Sequence, residues 1–220
     1  MTEPDVTLTD YGLALECAAL AWLLWRRESG ANGLRVPWVI FFASISVTSF
    51  LGGTFHGYFL DPSSLGDAVL WPATLLGVGV TALSAWIIGA RLQFSPGAAR
   101  RIELAALAGF LAYAATVLFV STSFRVAVVN YLPAALFLLA VYAIRARRQA
   151  GPSTLWGLCG LALTLAAAAL QQAGIGLHPS YFNHNALYHL LQAVGLFLIF
   201  LSARILINLE AAGGDARERM

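Results

Sequence analysis

Residues 67–90 read DAVLWPATLLGVGVTALSAWIIGA, and after Asp67 this stretch carries no charged side chain until Arg91. A helix needs roughly 20 predominantly apolar residues to cross the hydrocarbon core of a membrane. Backbone groups find no water to bond there, so a spanning segment of this kind has to be helical. The stretch therefore predicts a transmembrane helix.

Similar apolar blocks, separated by short polar segments, fill most of the chain. Of its 220 residues, 59% are hydrophobic and 11% are charged, whereas a soluble domain carries about 25% charged residues. The first ten residues are acidic and hold no base, so we expect no cleavable signal peptide. The sequence predicts an all-α membrane protein, a seven-transmembrane helix bundle, with spans at 10–25, 36–60, 67–90, 101–122, 124–144, 153–172 and 182–209. An N-terminus at 1–9 and a tail at 210–220 flank this single domain.

The arginines predict the orientation, because cytoplasmic loops of membrane proteins are enriched in basic residues. The loops after spans one, three, five and seven carry nearly all of them, whereas the other side carries Asp61, Asp67 and only Arg125. We therefore expect the N-terminus outside and the C-terminus in the cytoplasm, in a multi-pass protein of a cell membrane of the bacterial inner-membrane type. The scattered arginines form no basic patch, which argues against nucleic-acid binding. The basic residues of the cytoplasmic side are Arg26, Arg27, Arg35, Arg91, Arg100, Arg101, Arg145, Arg147, Arg148, Arg204, Arg217 and Arg219.

Cys17 and Cys159 are predicted at different depths, in the outer part of span one and the inner part of span six. Two cysteines so placed give no disulfide framework. We expect both to be small buried apolar side chains.

With this topology all four histidines are predicted at one depth near the outer face. His56 ends span two, His184 and His189 lie in the first turns of span seven, and His178 lies in the loop before it. In span seven, Asn185, His189 and Gln192 are spaced i, i+4 and i+7 and share one helical face. The outer half of the bundle is therefore predicted to hold a polar cavity. Its other members are Glu16, Ser49, Asp67, Asn130, Tyr131, Gln171, Gln172, Asn185 and Gln192.

Two interpretations of this cluster remain open. Imidazole and carboxylate groups in a dry cavity are typical of a zinc site that keeps one position open for water, and the metal lowers the pKa of that water. Alternatively, interfacial His, Asn and Gln side chains form hydrogen bonds between helices without a metal. Spacing alone slightly favours the second interpretation.

Two short segments resemble a known family. Span two ends in Leu51-Gly-Gly-Thr-Phe-His56-Gly, with Asp67 eleven residues after the histidine, and span seven opens with Asn183-His184-Asn-Ala-Leu-Tyr-His189-Leu-Leu-Gln192. These segments resemble the CREST superfamily of seven-helix membrane hydrolases, which includes alkaline ceramidases, progestin/adiponectin receptors and Per1-type proteins. The family pattern has a serine four residues before a Phe-His in span two, an aspartate opening span three, and His-x-x-x-His in span seven.

The resemblance implies a zinc ion held by His56, His184 and His189, with Asp67 as the catalytic carboxylate. The family's first span-seven histidine falls on Asn185, so His184 is one residue early. A π-bulge or a non-helical start of the span would turn His184 inward.

At the position of the family serine, four residues before His56, this chain has Gly52. The nearby hydroxyl residues Ser49 and Thr54 do not stand at that spacing from His56. Alkaline ceramidases also place an acidic residue of span one near a calcium site, which would correspond here to Asp10 or Glu16. We expect no calcium, because Asp10 is predicted to be a helix N-cap and Glu16 to pair with a polar neighbour. The residues expected around the metal or substrate are Glu16, Ser49, Thr54, Asn185 and Gln192.

Two functions follow as hypotheses. The first is a zinc-dependent hydrolase that cleaves an amide or ester bond of a membrane lipid near the outer face. The second is a binding or sensing protein that keeps the fold, with or without the metal, and performs no turnover. The retained Asp67 favours the first and the missing serine at Gly52 favours the second. Haem ligation by paired histidines fits poorly, because only two spans supply histidines and both on one side.

Overall fold

The computed structural model describes residues 1–27, 33–61, 63–178 and 181–218. Within these ranges the protein consists of seven α-helices and contains no strand. Each helix is long and apolar enough to cross a membrane, which confirms the predicted fold class. The helices are α1 (Pro4–Trp25), α2 (Arg35–Tyr58), α3 (Leu65–Gln93), α4 (Pro96–Phe119), α5 (Phe124–Arg148), α6 (Pro152–Gln172) and α7 (His184–Glu218).

Prolines begin three of the helices and explain where the predicted spans were too short. Pro4 and Pro96 start α1 and α4 several residues before the predicted spans, because the missing N–H of proline costs nothing in the first turn. Asp10 therefore lies in the second turn of α1, and its prediction as an N-cap was wrong. The predicted division between the fourth and fifth spans is correct, since α4 ends at Phe119 and α5 begins at Phe124.

Six of the helices form a closed ring. Around it α1 packs on α2, α2 on α3, α3 on α5, α5 on α6, α6 on α7, and α7 on α1. Helix α4 stands outside this ring, packed mainly on α3. The ring leaves room for a cavity at its centre.

Close contacts between backbones hold the ring together at two places. A Cβ on Gly160 of α6 would lie 2.6 Å from the carbonyl oxygen of Gly195 on α7, so only glycine fits at this crossing. Small residues at such crossings are characteristic of helix pairs in membranes. On α2, Gly53 and Gly57 face α1 with similarly little room.

Large side chains fill the end of the ring at which α2 begins and α7 finishes. Trp38, Phe41, Phe42 and Phe200 form a chain of ring contacts, and the Tyr142 hydroxyl is 2.8 Å from the Ser202 hydroxyl. Cys17 is buried as predicted, whereas Cys159 is exposed on the outside of α6, so its predicted burial was wrong.

Several arginines gather at this packed end. Arg91 forms an ion pair with Glu103 at 2.7 Å, and Arg145 donates to the carbonyl of Leu92 at 2.7 Å. Which side of a membrane this end faces stays a prediction. Helix α7 continues to Glu218, so most of the predicted tail at 210–220 is helical, and residues 219–220 lie outside the described ranges.

Candidate functional site: a polar cavity inside the helix ring

A cavity of about 340 Å³ lies inside the ring. All six ring helices contribute to its wall, and α4 contributes none of the lining side chains. Its size is within the range of pockets that hold small ligands.

The cavity changes from polar to apolar along its length. On α7 the lining residues Asn185, His189 and Gln192 are followed by Leu196 and Ile199, one stripe of the helix. On α2 the order is mirrored, because Phe41 and Ile45 precede Ser49, Gly52 and His56. The polar end of the cavity is therefore the end at which α2 finishes and α7 begins.

His189 on α7 is held by a hydroxyl of α1. Its Nδ1 lies 3.1 Å from Thr9 Oγ1, while the Thr9 hydroxyl lies 2.8 Å from the carbonyl oxygen of Asp5. Thr9 has a single hydrogen to donate. When the Asp5 carbonyl takes it, the Nδ1–H of His189 donates to Thr9, and Nε2 carries the lone pair.

That Nε2 faces a carboxylate which the sequence did not assign to the site. His189 Nε2 lies 3.4 Å from Asp10 Oδ1, and these side chains are only 12% and 6% exposed. Asp10 lines the cavity together with His189. The pair is the most deeply enclosed acid and imidazole of the cavity wall.

His56 on α2 is held in the same manner. Its Nδ1 lies 2.6 Å from Glu3 Oε2, so the imidazole donates Nδ1–H to a carboxylate. The ring lines the cavity, and its Nε2 is the nitrogen left for a ligand. Both histidines of the cavity are thus oriented by acceptors from α1 and the residue before it.

The N-terminal segment, residues 2–10, also closes against two other helix ends. Thr2 N donates to the carbonyl oxygen of Gly57 at 3.0 Å, and Asp5 Oδ2 accepts from the backbone N–H of Asn183 at 3.0 Å. The segment therefore bridges the end of α2 and the start of α7, where the two cavity histidines lie.

Asp10 of α1 lies beside Gly52 and Gly53 of α2. A Cβ at Gly52 would lie 3.6 Å from Asp10 Oδ2, and one at Gly53 would lie 2.8 Å from Asp10 Cβ. Glycine at these two positions lets α1 approach α2 closely enough to bring the carboxylate into the wall.

The structure brings together some of the residues predicted for the site and leaves others apart. His56, His189, Asn185, Gln192 and Ser49 line the cavity. Asn185 also accepts from Gln171 Nε2 at 3.0 Å. Of His184 and Asn185, the two residues considered for the first ligand position of span seven, Asn185 lines the cavity.

The remaining predicted residues are not part of the cavity wall. They are Glu16, Thr54, Asp67, Asn130, Gln172, His178 and His184. Asp67 is half-buried in the first turn of α3, where its N–H donates to the Ser64 cap at 3.0 Å. His184 is the first residue of a regular α7, which is capped by Asn183, so neither a π-bulge nor a non-helical start turns it inward.

Sequence reasoning missed Asp10, Thr9 and Glu3. The sequence did indicate that Asp10 lies inside a helix, because Pro4 favours the first position of a helix and Asp10 follows it by six residues. Nothing in the sequence indicated that its carboxylate would face His189.

No three His, Cys, Asp or Glu side chains of the described residues stand together at metal-coordinating distance. The donor types nevertheless suit zinc, which binds imidazole nitrogen and carboxylate oxygen. A histidine whose other nitrogen donates to a fixed acceptor is the usual form of a zinc-ligating imidazole. His56 has this form against Glu3, and His189 has it when the Thr9 hydroxyl donates to the Asp5 carbonyl.

Residues 6–208 match a family of unknown function, DUF6962. Neither a curated protein nor a solved structure matches the chain.

Proposed function

Since the chain belongs to DUF6962, a family of unknown function, we propose its function from the chemistry of the cavity: a membrane-embedded, metal-dependent hydrolase that cleaves an amide or ester bond of a lipid. One observation carries this proposal. Two imidazoles from distant parts of the chain, His56 and His189, line one cavity inside the bundle, each with Nδ1 at hydrogen-bond distance from a side-chain oxygen of residues 3–9.

The metal of this proposal is zinc, which His56 and His189 would hold. When bound, zinc supplies a polarising charge for a carbonyl oxygen and a water of lowered pKa. Glu3 and Thr9 fix the orientation of the two imidazoles, and such outer partners raise the basicity of a ligating histidine.

The substrate class follows from the gradient along the cavity. Polar groups of Asn185, Gln171 and Gln192 surround the end that holds the histidines, and Leu138, Leu161, Leu196 and Ile199 line the other end. A lipid fits this gradient with its amide or ester at the histidines and a hydrocarbon chain among the apolar side chains. The apolar walls exclude water from the chain and leave the polar end for the reacting bond.

The proposal gives Asp67 and His184 no direct contact with the metal or the substrate, because neither lines the cavity. The carboxylate that does line it is Asp10. The surrounding membrane would be a cell membrane of the bacterial type, with the cavity near the outer face.

A second candidate is a lipid-binding or sensing protein without turnover. It is favoured by Gly52, which has no hydroxyl at the position of the family serine, and by the absence of three assembled metal ligands among the described residues. In this case the same cavity holds the lipid, and His56 and His189 bind its polar group.

The test is zinc content and lipid hydrolysis by the purified full-length protein in detergent. We expect about one zinc per chain and hydrolysis of ceramide-like amides or phospholipid esters. His56→Ala and His189→Ala should each lower the rate by more than about 100-fold, since loss of a ligand exceeds the effect of losing an outer partner.

The control is His178→Ala, because His178 is exposed in the loop before α7 and should leave the rate unchanged. A zinc-free wild type prepared without chelators would eliminate the hydrolase proposal. Zinc without turnover, together with lipid binding that needs His56 and His189, would instead support the second candidate.

A further inference from the structure

Three carboxamides form a chain of hydrogen bonds at the polar end of the cavity. Gln172 Nε2 donates to Gln171 Oε1 at 3.1 Å, and Gln171 Nε2 donates to Asn185 Oδ1 at 3.0 Å. The two glutamines end α6, and Asn185 is the second residue of α7. A carboxamide donates only through its nitrogen and accepts only through its oxygen. The bonds therefore set the direction in which each amide points.

The end of this chain is a donor without an acceptor. Asn185 Oδ1 is occupied by Gln171, and Asn185 Nδ2 has no hydrogen-bond partner in the described part of the chain. Asn185 is half-buried and lines the cavity, as Gln171 does. An N–H that loses its water when a ligand fills the cavity costs free energy unless the ligand accepts its hydrogen. The cavity therefore favours a ligand with an acceptor at this place.

Asn185 stands next to the deepest histidine of the wall. It precedes His189 by four residues, so the two side chains lie on one face of α7, with Cβ atoms about 5–6 Å apart. Both line the cavity. A group that binds at the imidazole of His189 is thus within reach of Asn185 Nδ2.

The threonines of the cavity wall are less suited to this task, because their hydroxyl hydrogens are already used. Thr74, Thr81 and Thr164 donate to carbonyl oxygens of their own helices at 2.8, 3.1 and 3.0 Å. These residues line the same cavity. The amide of Asn185 has both of its hydrogens available.

The bond of the proposed reaction supplies the acceptor. In hydrolysis the oxygen of water adds to the carbonyl carbon, and negative charge collects on the carbonyl oxygen. The C–N or C–O bond then breaks, and the leaving amine or alcohol takes a proton from the water. Asparagine side chains are among the donors that stabilise such a charge, and they act most strongly where water is excluded.

We infer that Asn185 is a catalytic residue that donates from Nδ2 to the carbonyl oxygen of the lipid's amide or ester. Gln171 is the positioning residue that keeps Nδ2 directed into the cavity. This inference rests on the proposed function. The position at which the resemblance places the first histidine of span seven then contacts the substrate and does not bind the metal.

The first experiment measures kcat and KM of the purified full-length protein in detergent, with a ceramide-like amide and a phospholipid ester. Asn185→Asp keeps the acceptor for Gln171 and removes the donor, whereas Asn185→Leu removes the polar group without adding a charge. Each should lower kcat by about 100-fold or more and change KM much less. The control is Asn130→Leu on α5, since Asn130 does not line the cavity, and its kcat should equal that of the wild type.

The second experiment tests the role of Gln171 with two variants. In Gln171→Glu the carboxylate cannot donate, so Asn185 turns its NH₂ towards it and presents its oxygen to the cavity. In Gln171→Met the amide of Asn185 is unrestrained and points correctly part of the time. We expect kcat to fall further in Gln171→Glu than in Gln171→Met. An equal loss, or a larger loss in Gln171→Met, would mean that Gln171 serves only for packing.

A third measurement does not depend on turnover. A long-chain ketone labelled with ¹³C at its carbonyl has the acceptor but no bond to hydrolyse. Its infrared carbonyl stretch should lie at lower frequency when the ketone is bound to the wild type than when it is bound to Asn185→Leu, because the hydrogen bond from Nδ2 weakens the C=O bond.

The outcomes separate this inference from the proposed function. A wild type that neither hydrolyses the lipids nor binds the ketone overturns both. A wild type that hydrolyses them, with kcat and carbonyl frequency unchanged in Asn185→Leu, overturns only the role of Asn185. If neither Asn185 variant folds, the order of the two Gln171 variants decides.

Discussion

Glu3 Oε2 lies 2.6 Å from His56 Nδ1, so a residue before the first helix orients an imidazole at the end of the second. The contact joins positions far apart in the sequence. It also fixes which nitrogen of His56 carries a hydrogen, because a carboxylate only accepts. The cavity thus depends on the N-terminal segment for the state of its histidine as well as for its closure.

If His56 binds zinc as proposed, Glu3→Ala should lower the Zn²⁺ affinity of the protein by about 10–100-fold, because it removes the outer partner of that histidine. Competition with a chelator measures the affinity. Glu16→Ala is the control, since Glu16 is an acidic residue of α1, the helix that follows Glu3, and does not line the cavity. An equal loss in both variants would mean that charge, and not the contact with His56, is responsible.

Thr9→Val should weaken Zn²⁺ binding by about 10-fold, because valine has the shape of threonine but accepts no hydrogen from His189 Nδ1. Imidazole ¹⁵N chemical shifts of the metal-free protein should show a mixture of His189 tautomers in the variant. The control is Thr116→Val on α4, whose hydroxyl donates only to the carbonyl of Ala112. A single unchanged tautomer in Thr9→Val would contradict the proton assignment.

Gly53→Ala should destabilise the bundle and weaken Zn²⁺ binding together. Its Cβ would lie 2.8 Å from Asp10 Cβ and 3.2 Å from the Thr7 carbonyl oxygen, so α1 has to move away from α2. Overpacking of this kind costs about 1–3 kcal/mol in the free energy of unfolding. Thermal unfolding in detergent measures it.

The comparison for Gly53→Ala is Gly12→Ala on α1, where an added Cβ meets nothing within 4 Å. Alanine has the higher helix propensity, so Gly12→Ala should be neutral or slightly stabilising. Equal stability of the two variants would show that α1 is not closely packed on α2.

Gly160→Ala should loosen the packing of α6 on α7. The added Cβ would lie 2.6 Å from the Gly195 carbonyl oxygen and 2.9 Å from the Ile199 backbone nitrogen, and backbone atoms cannot rotate away. A loss of about 1–3 kcal/mol is expected, again from unfolding in detergent. Gly109→Ala on α4, with open space around the position, should show no loss.

Much of the fold was accessible from the sequence because a transmembrane helix is specified locally. A charge-free block such as 68–90 has to be helical in a membrane whatever surrounds it. The short polar break at 121–123 sufficed to separate α4 from α5. The same alternation of spans brought His56 and His189, far apart in the chain, to one end of the bundle.

Which residues line the cavity was harder to predict from the sequence. Asp67 and His184 lie in the first turns of α3 and α7, at the end of the bundle that holds the cavity histidines, but neither lines the cavity wall. Asp10 was visible as a carboxylate, but its helix was predicted to begin too late.

The sequence by itself determined the number of spans and their approximate limits, because these depend on hydrophobicity and helical rise along a single segment. Only the tertiary structure decided which polar residues face one another. Helix rotation and separation are set by contacts between distant residues, such as Gly53 against Asp10 and Gly160 against Gly195. These contacts bring α1 into the wall of the cavity and place Asp10 opposite His189.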